Sequence, residues 1–400
     1  MSQGAAAAPR QEAGRAALCA GLAFAVLALL ALPLPAGNAR AEAAVELSAQ
    51  CAFTCDGLSV RAQSRLIDGS YLHAFEEARG RLEITAPEGE RIGWLYLCFA
   101  QTPADWRVER LDEAGWTPFA APEEGFAHAL VAVPGLSRVR VVAQGEALAL
   151  NEARVFTAGS LPGDVQAWQP TPQKADLLVL AAHPDDEFIF FGGLLPLYAA
   201  RGKQIVTACA AVRNGTRRSE FLNGLWEAGG RAYPVFGPFR DRYFRTLEAA
   251  YALWTREELD YFVMRLYREY RPEVVVTHDV GGEYGHGAHK ACADSALRMF
   301  DKAADALYLP QLSQLGVWQP KKLYLHLWRE NALRLDYSQD VGGRSALDAA
   351  RKAFALHVSQ QHFHVQCNPD DPYDCALFGL AKTVVGPDEL GGDLFENLAE

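Results

Sequence analysis

Leu177-Leu178-Val179-Leu180 is a run of four apolar residues, and the chain turns polar directly after it: Ala181-Ala182-His183-Pro184-Asp185-Asp186-Glu187. An apolar run this short, without alternation, predicts a strand buried on both faces. The segment from Phe188 towards Arg201 predicts a helix. Strand, polar cluster and helix in that order put the cluster at the carboxyl end of a parallel strand, where open α/β sheets bind their ligands. Three consecutive carboxylates repel one another unless they are solvated, protonated or facing a cation. A helix N-terminus alone would tolerate them. His183 beside them adds a mixed imidazole and carboxylate set suited to a divalent metal, zinc first.

Residues 273–289 repeat the layout. Glu273-Val274-Val275-Val276-Thr277 predicts a strand, followed by His278-Asp279-Val280-Gly281-Gly282-Glu283-Tyr284-Gly285-His286-Gly287-Ala288-His289. His286 and His289 are three apart at the start of the next helix, so they share a face. Two such clusters at the carboxyl ends of strands in one sheet predict a single site.

The Ala-His-Pro-Asp-Asp-Glu of 182–187 and the Gly-His-x-x-His of 285–289 resemble the two signature motifs of the PIG-L/LmbE family, zinc-dependent N-acetylglucosaminyl deacetylases. The resemblance runs from about Asp176 to the C-terminus. It implies zinc held by His183, Asp186 and His289, with Asp185 as the general base that takes the proton from the attacking water. It further implies His286 as the group that stabilises the oxyanion, where a cationic imidazole would also protonate the leaving amine. Tyr284 matches a mobile tyrosine that assists at the oxyanion, and Glu187 supports the loop. On the substrate side, Arg217 matches an arginine three residues before a glutamate, with Arg218 as the competing choice. Some relatives carry an Asp between the two histidines of the second motif, where this chain has Gly287-Ala288, so Asp279 is the candidate to orient His286. His357-x-Ser359-Gln360 resembles a late family motif, whereas His326 reads as a packed strand residue.

The chemistry is consistent with that ligand set. An acetamide is a poor electrophile, and a divalent ion with about three protein ligands and an open position activates both carbonyl and water. The implied substrate is an N-acetylated amino sugar, as a glycan or glycoconjugate. Two rivals remain open: a zinc amidase acting on another N-acyl conjugate, and a glycan-binding protein without turnover.

Upstream of this domain the chain has a different character. Residues 1–41 resemble a signal peptide: Arg10 and Arg15 precede an apolar segment over 16–34, and Ala39-Arg40-Ala41 offers a small-x-small cleavage site. The protein is therefore expected to be exported, with membrane attachment only if the signal stays uncleaved as an anchor. Residues 42–160 predict an all-β sandwich, with strands over 82–85, 92–99, 106–111, 129–133, 139–142 and 152–156 separated by Gly- and Pro-containing turns. The order of its segments resembles a discoidin or galactose-binding jelly roll. Trp94, Trp106 and Trp116 read as core aromatics, with a sugar-stacking face as the alternative. A Pro- and Gly-containing linker over 161–175 leads into residues 176–400.

The β-α alternation of that region predicts an α/β fold, a Rossmann-like doubly wound and mostly parallel sheet. No Gly-x-Gly-x-x-Gly follows its first strand, so a dinucleotide is not expected. The formal charge is −11, and the three Arg and one Glu of residues 1–41 leave the remainder at −13. That balance, with no basic stripe, argues against nucleic acid as a partner. Seven cysteines follow residue 41. In an exported protein Cys367 and Cys375, flanking a turn-rich loop, are the expected disulfide, with one further bond among Cys51, Cys55 and Cys98. Cys209 and Cys292 read as buried thiols.

Overall fold

The structure is a computed structural model in which residues 42–61, 63–122 and 125–398 are described. The expected signal peptide lies outside the described residues. Among those described, no helix is long and apolar enough to cross a membrane.

The first ten strands are β1 Ala52–Cys55, β2 Leu58–Ser59, β3 Phe75–Glu77, β4 Arg81–Thr85, β5 Ile92–Gln101, β6 Trp106–Asp112, β7 Gly115–Ala120, β8 His128–Leu136, β9 Arg138–Ala143 and β10 Leu148–Phe156. They form two antiparallel sheets, ordered β2-β1-β4-β9-β6-β7 and β3-β10-β5-β8. Alternation supplies a shared core: Leu82, Ile84, Val139 and Val141 from one sheet meet Leu95, Leu97, Phe99 and Leu150 from the other. The intervening residues of β5, Tyr96 and Cys98, point to the opposite face and pack with Phe156 and Val165. This second face is apolar because other parts of the chain cover it.

The rest of the chain comprises β11 Leu177–Ala181, α1 Asp186–Ile189, α2 Leu194–Ala200, β12 Ile205–Ala211, α3 Gly215–Glu227, β13 Val235–Phe239, α4 Leu247–Trp254, α5 Arg256–Tyr270, β14 Val274–Thr277, α6 Gly287–Lys302, β15 Lys322–His326, β16 Ala332–Arg334, α7 Ala346–Phe354 and β17 Leu377–Thr383. They build one mixed sheet, β13-β12-β11-β14-β15-β17-β16. Its first five strands are parallel to their neighbours, and β17 is antiparallel to both β15 and β16. Leu177, Val179 and Ala181 pack under α1, α2, α3 and α7. Leu178, Leu180 and Ala182 pack under α4, α5 and α6. Helices on both faces explain why the strand carries no polar alternation.

The helix expected from Phe188 towards Arg201 is two helices instead. Gly192 has φ 53°, and a Cβ on Gly193 would stand 2.8 Å from the Tyr337 ring, so the turn is packed too closely for a side chain. Helix α7 stops at Phe354, which frees His357 to turn inwards.

The expected disulfides are not formed, and all seven described cysteines are free thiols. Cys367 and Cys375 do meet, as a hydrogen-bonded thiol pair that holds Cys367 below its usual pKa. Of the bond expected among Cys51, Cys55 and Cys98, the Cys51–Cys98 pairing is opposed by placement, because Cys51 lies inside the two-sheet core while Cys98 faces out of it. Trp106 is a core residue stacked edge-on with Phe99. Trp116 lies under the Arg138 and Arg140 guanidiniums.

Candidate metal and catalytic site

Both polar clusters sit at the carboxyl ends of adjacent parallel strands, β11 and β14, as the register Leu177–Val274 dictates. The turn after β11 is closed by its own carboxylates. Asp186 Oδ2 accepts from the His183 amide at 2.7 Å, and Glu187 Oε2 accepts from the Asp185 amide at 2.7 Å. This leaves Asp185 at φ 113°, a backbone conformation that side-chain-bearing residues rarely adopt.

His183, Asp186 and His289 converge there. One donor atom from each lies within 4.8 Å of the others, and all three residues are buried. His183 Nδ1 is 3.4 Å from Asp186 Oδ2, and His289 Nε2 is 3.5 Å from Asp186 Oδ1. Nε2 of His183 and Nε2 of His289 have no hydrogen-bond partner although both are buried. A buried lone pair without a donor costs free energy. The His289 nitrogen faces Asp186 and the His183 nitrogen lies 4.0 Å from Asp241, so two imidazoles with free nitrogens among carboxylates fit a cation, and the donor set is one that zinc accepts.

Glu283 is the hub beneath this group. It is fully buried and takes Nδ1 of His278 at 2.9 Å, of His289 at 2.8 Å and of His326 at 2.6 Å. Its bond to His289 Nδ1 directs the opposite nitrogen of that ring at Asp186, an outer carboxylate orienting a ligand imidazole. Burial opposes ionisation of Glu283, but the His278 charge and these hydrogen bonds hold its carboxyl well below the usual range. For His278 too burial opposes the charge, and the Glu283 and Asp186 carboxylates outweigh it, pushing the pKa up to about 10. Asp186 is likewise held low by His289 and His278 against its own burial. His278, Glu283 and His289 also lie close enough to hold an ion. Glu283 is already shared among three imidazoles, so the group around Asp186 offers the free donors.

Asp185 lies beside that group and is buried with it. Burial and the neighbouring Asp186 raise its pKa well above the usual carboxylate value, while Arg217 acts the other way. The Arg217 guanidinium is 3.1 Å from Asp185 Oδ2 and also donates to the Pro184 carbonyl. His286 opens α6, and its Nδ1 accepts from the Ala288 amide at 3.1 Å. Burial, then the His289 and His183 rings, push its pKa down to about 3. It is therefore neutral at pH 7, with Nδ1 occupied as an acceptor and its proton on Nε2. The cationic imidazole expected here is replaced by a neutral hydrogen-bond donor.

Tyr284, at φ 44° and 40 % exposed, sets its ring 5.6 Å from His286 and 5.4 Å from His289. Asp279 does not approach His286: its carboxylate accepts from the Gly281 amide at 3.1 Å, and its own amide donates to Glu283. A short side chain two residues before a glycine closes its own turn sooner than it reaches across a helix start. Arg218 points away from the site, to the Phe99 and Ala100 carbonyls of β5 at 3.0 Å each. Glu187 reaches His357 at 2.8 Å, and Glu220 accepts from the Ser359 amide and hydroxyl at 2.7 Å each. The late motif thus braces the first one.

Several residues of the site were not singled out by the sequence. Glu283 stood inside the second motif, and its acid type between two strand-end histidines was a usable signal. His326, read as a packed strand residue, is buried and also joins Glu283. Asp241, whose Oδ1 is 4.0 Å from His183 Nε2, and Tyr243, whose ring is 4.9 Å from His286, come from the irregular loop before α4. Nothing in its sequence forecasts where that loop folds.

Residues 178–300 match the sequence model of the family described as PIG-L: GlcNAc-PI de-N-acetylase. The chain is 33% identical over 183 residues to the 1D-myo-inositol 2-acetamido-2-deoxy-alpha-D-glucopyranoside deacetylase of Geodermatophilus obscurus, covering 38% of this chain and 61% of that protein. It is 29% identical over 207 residues to deacetylase 1 of the same description from Catenulispora acidiphila, covering 44% and 63%. The chain thus spans somewhat less than two thirds of the length of these relatives. Among solved structures it is similar to the N,N'-diacetylchitobiose deacetylase from Pyrococcus horikoshii, at 19% identity and a TM-score of 0.37, over 50% of this chain and 73% of that one.

Proposed function

We propose that the protein is an exported zinc-dependent deacetylase that hydrolyses the N-acetyl group of an N-acetylglucosamine-type glycan or glycoconjugate. In this reading a Rossmann-like doubly wound sheet carries the site and a β-sandwich precedes it. One observation carries it: donor atoms of buried His183, Asp186 and His289 converge within 4.8 Å of one another, and each of the two imidazoles has a buried nitrogen without a partner. The match of residues 178–300 to a de-N-acetylase family, and the names of the curated relatives, support the choice of an N-acetyl amino sugar. Export rests on the sequence of residues 1–41.

His183, Asp186 and His289 would hold the ion, which when bound supplies Lewis-acid polarisation of the amide carbonyl and acidifies water. Asp185 takes a proton from the attacking water as the new C–O bond forms, and its raised pKa makes it a stronger base than a free carboxylate. Arg217, 3.1 Å from Asp185 Oδ2, orients that carboxylate. His286 Nε2–H donates to the oxygen that gains charge, and as a neutral donor it does not compete with a cation for space. Tyr284 stands at the rim, on the same side. The proton held by Asp185 then passes to the nitrogen as the C–N bond breaks, releasing acetate and a free amine.

The test is amine release from N-acetylglucosamine conjugates by purified protein, with and without a chelator, and after zinc is restored. Chelator-sensitive, zinc-restored release is expected. Binding of the conjugates without release would favour the glycan-binding alternative. Release only from non-sugar N-acyl compounds would favour the amidase.

A further inference from the structure

Asp185 is strained, and the chain of contacts that holds it ends in the N-terminal β module. Its φ of 113° is outside the range a side-chain-bearing residue adopts freely, and such a conformation persists only where the surroundings impose it. Arg217 adds to the hold of the turn's own carboxylates, donating to the Pro184 carbonyl and pairing with the Asp185 carboxylate. Arg217 lies in the first turn of α3, and that turn is fastened on its other side to the β module. Thr216 Oγ1 donates to the Tyr71 carbonyl at 2.6 Å, and Arg218 donates to both the Phe99 and the Ala100 carbonyl. The approach is close enough that a Cβ on Gly215 would stand 2.6 Å from the Ala100 oxygen. Three consecutive side chains thus alternate in direction: 216 and 218 grip the β module, and 217 grips the strained turn.

We infer that Thr216 and Arg218 are positioning residues, and that the β module acts as an anvil holding α3 so that Arg217 can keep Asp185 in its working geometry. The inference rests on the reading of Asp185 as the base. It assigns the β module a part in turnover that does not involve touching substrate. A charge-assisted bond to two carbonyls is stronger than a neutral one, so Arg218 contributes more than Thr216. Displacement of a reacting group by about 1 Å can cost on the order of 10²-fold. Loss of an anchor two contacts away should cost less.

The experiment uses full-length mature protein loaded with zinc, in four forms: unaltered, Arg218→Ala, Arg218→Lys and Thr216→Val. kcat and KM for amine release, zinc content, thermal midpoint and amide hydrogen exchange over residues 183–189 are measured on each. The expected result for Arg218→Ala is a kcat lower by about tenfold, with KM and zinc content unchanged. Exchange over 183–189 should quicken while that of β11 and β14 stays the same. Arg218→Lys should recover part of the kcat, since an ammonium still reaches one carbonyl. If Arg218→Ala does not fold, Thr216→Val decides, with the same pattern at smaller size. Unchanged kcat and unchanged exchange over 183–189 in a folded variant would overturn the inference. So would a fall in the thermal midpoint with every other reading unmoved. If the unaltered protein releases no amine, the reading of the activity has failed, and the exchange measurement alone decides whether the β module holds the turn.

Discussion

Two buried histidine environments in this molecule have opposite hydrogen-bond accounts. His128, from β8, lies where the β module meets α3, and both of its ring nitrogens are satisfied. Nδ1 is 2.8 Å from Gln166 Oε1 and 3.2 Å from the Tyr96 hydroxyl, and Nε2 is 3.1 Å from Ser219 Oγ. His183 and His289 are buried to a similar degree, yet each has one nitrogen with no partner. A folded chain rarely tolerates an orphaned buried lone pair unless something else occupies it. Burial alone therefore does not distinguish these two environments; the missing partner within a group of three converging donors does.

The sharpest way to break that distinction is to remove one orphaned nitrogen. His289→Ala should lose bound zinc and, with it, turnover, by more than the ~10⁴-fold upper range of losing one general base. Metal content and amine release measured on the same preparation check this. His286→Ala, whose ring already has its acceptor filled by Ala288, should keep the metal while turnover falls. Equal metal loss in both would mean the pair has been divided wrongly.

Next in size is the separation of the adjacent aspartates. Asp185→Asn keeps the shape but cannot take a proton, so turnover should fall by ~10²–10⁴-fold with zinc retained. Asp186→Asn should instead weaken zinc binding, because a neutral amide oxygen is a poorer ligand. Added zinc should partly restore Asp186→Asn and leave Asp185→Asn unmoved. The opposite pattern of rescue would exchange the two assignments.

Glu283 extends the comparison one layer outwards. Its carboxylate fixes the tautomer of His289 by accepting a hydrogen bond from Nδ1–H. Glu283→Gln can no longer accept from three imidazoles at once, and zinc affinity should weaken by roughly 10–100-fold. Competition titration with a chromogenic chelator measures it. Affinity equal to that of the unaltered protein would make Glu283 a packing residue only.

What the sequence disclosed and what it hid divide along physical lines. The run 177–180 and the residues 274–277 are apolar because both faces of their sheet are covered, and that pattern is local. The helix Arg256–Tyr270 is likewise local, its buried face written at Leu259, Phe262, Val263 and Leu266. The motif residues could be read because each motif follows a strand end, 183–187 within six residues of Ala181 and 284–289 within twelve of Thr277. The break at Gly192-Gly193 could not, since it depends on Tyr337 and Cys375, both more than a hundred residues away. Strand β16 is three residues long and, among the described residues, pairs with β17 alone, so no periodicity marked it. Asp279 misled because closing its own turn competes with any longer reach. Arg217 and Arg218 are chemically identical neighbours, and only the direction of α3 assigns one to the site and the other to the β module.

The smallest effect concerns His128, the satisfied partner of the comparison, and it is read as stability rather than turnover. Burial, joined by the charge of Arg218, pushes its pKa down to about 4 against the opposing hydrogen bond to Gln166. In the unfolded chain the imidazole titrates near its ordinary value of roughly 6.5. Below that pH the unfolded state binds the extra proton and the folded state does not, so this group's contribution to stability is present above ~6.5 and is lost as pH falls towards ~4. At pH 5.5 the loss amounts to about 1.4 kcal/mol. Glu152 runs the other way: burial raises its pKa to about 7, so its contribution is lost as pH rises through that value. A single profile therefore mixes the two. The difference between the unaltered protein and His128→Gln isolates the imidazole, because Glu152 and the histidines of the site are common to both. Urea unfolding at pH 7.5, 6.5 and 5.5 should give a gap between the two proteins that narrows by about 1.4 kcal/mol from the first pH to the last. Parallel profiles would mean that His128 titrates in the fold as it does in the unfolded chain, and a widening gap that it is protonated in the fold; in either case a fully paired imidazole is no guide to a structural one.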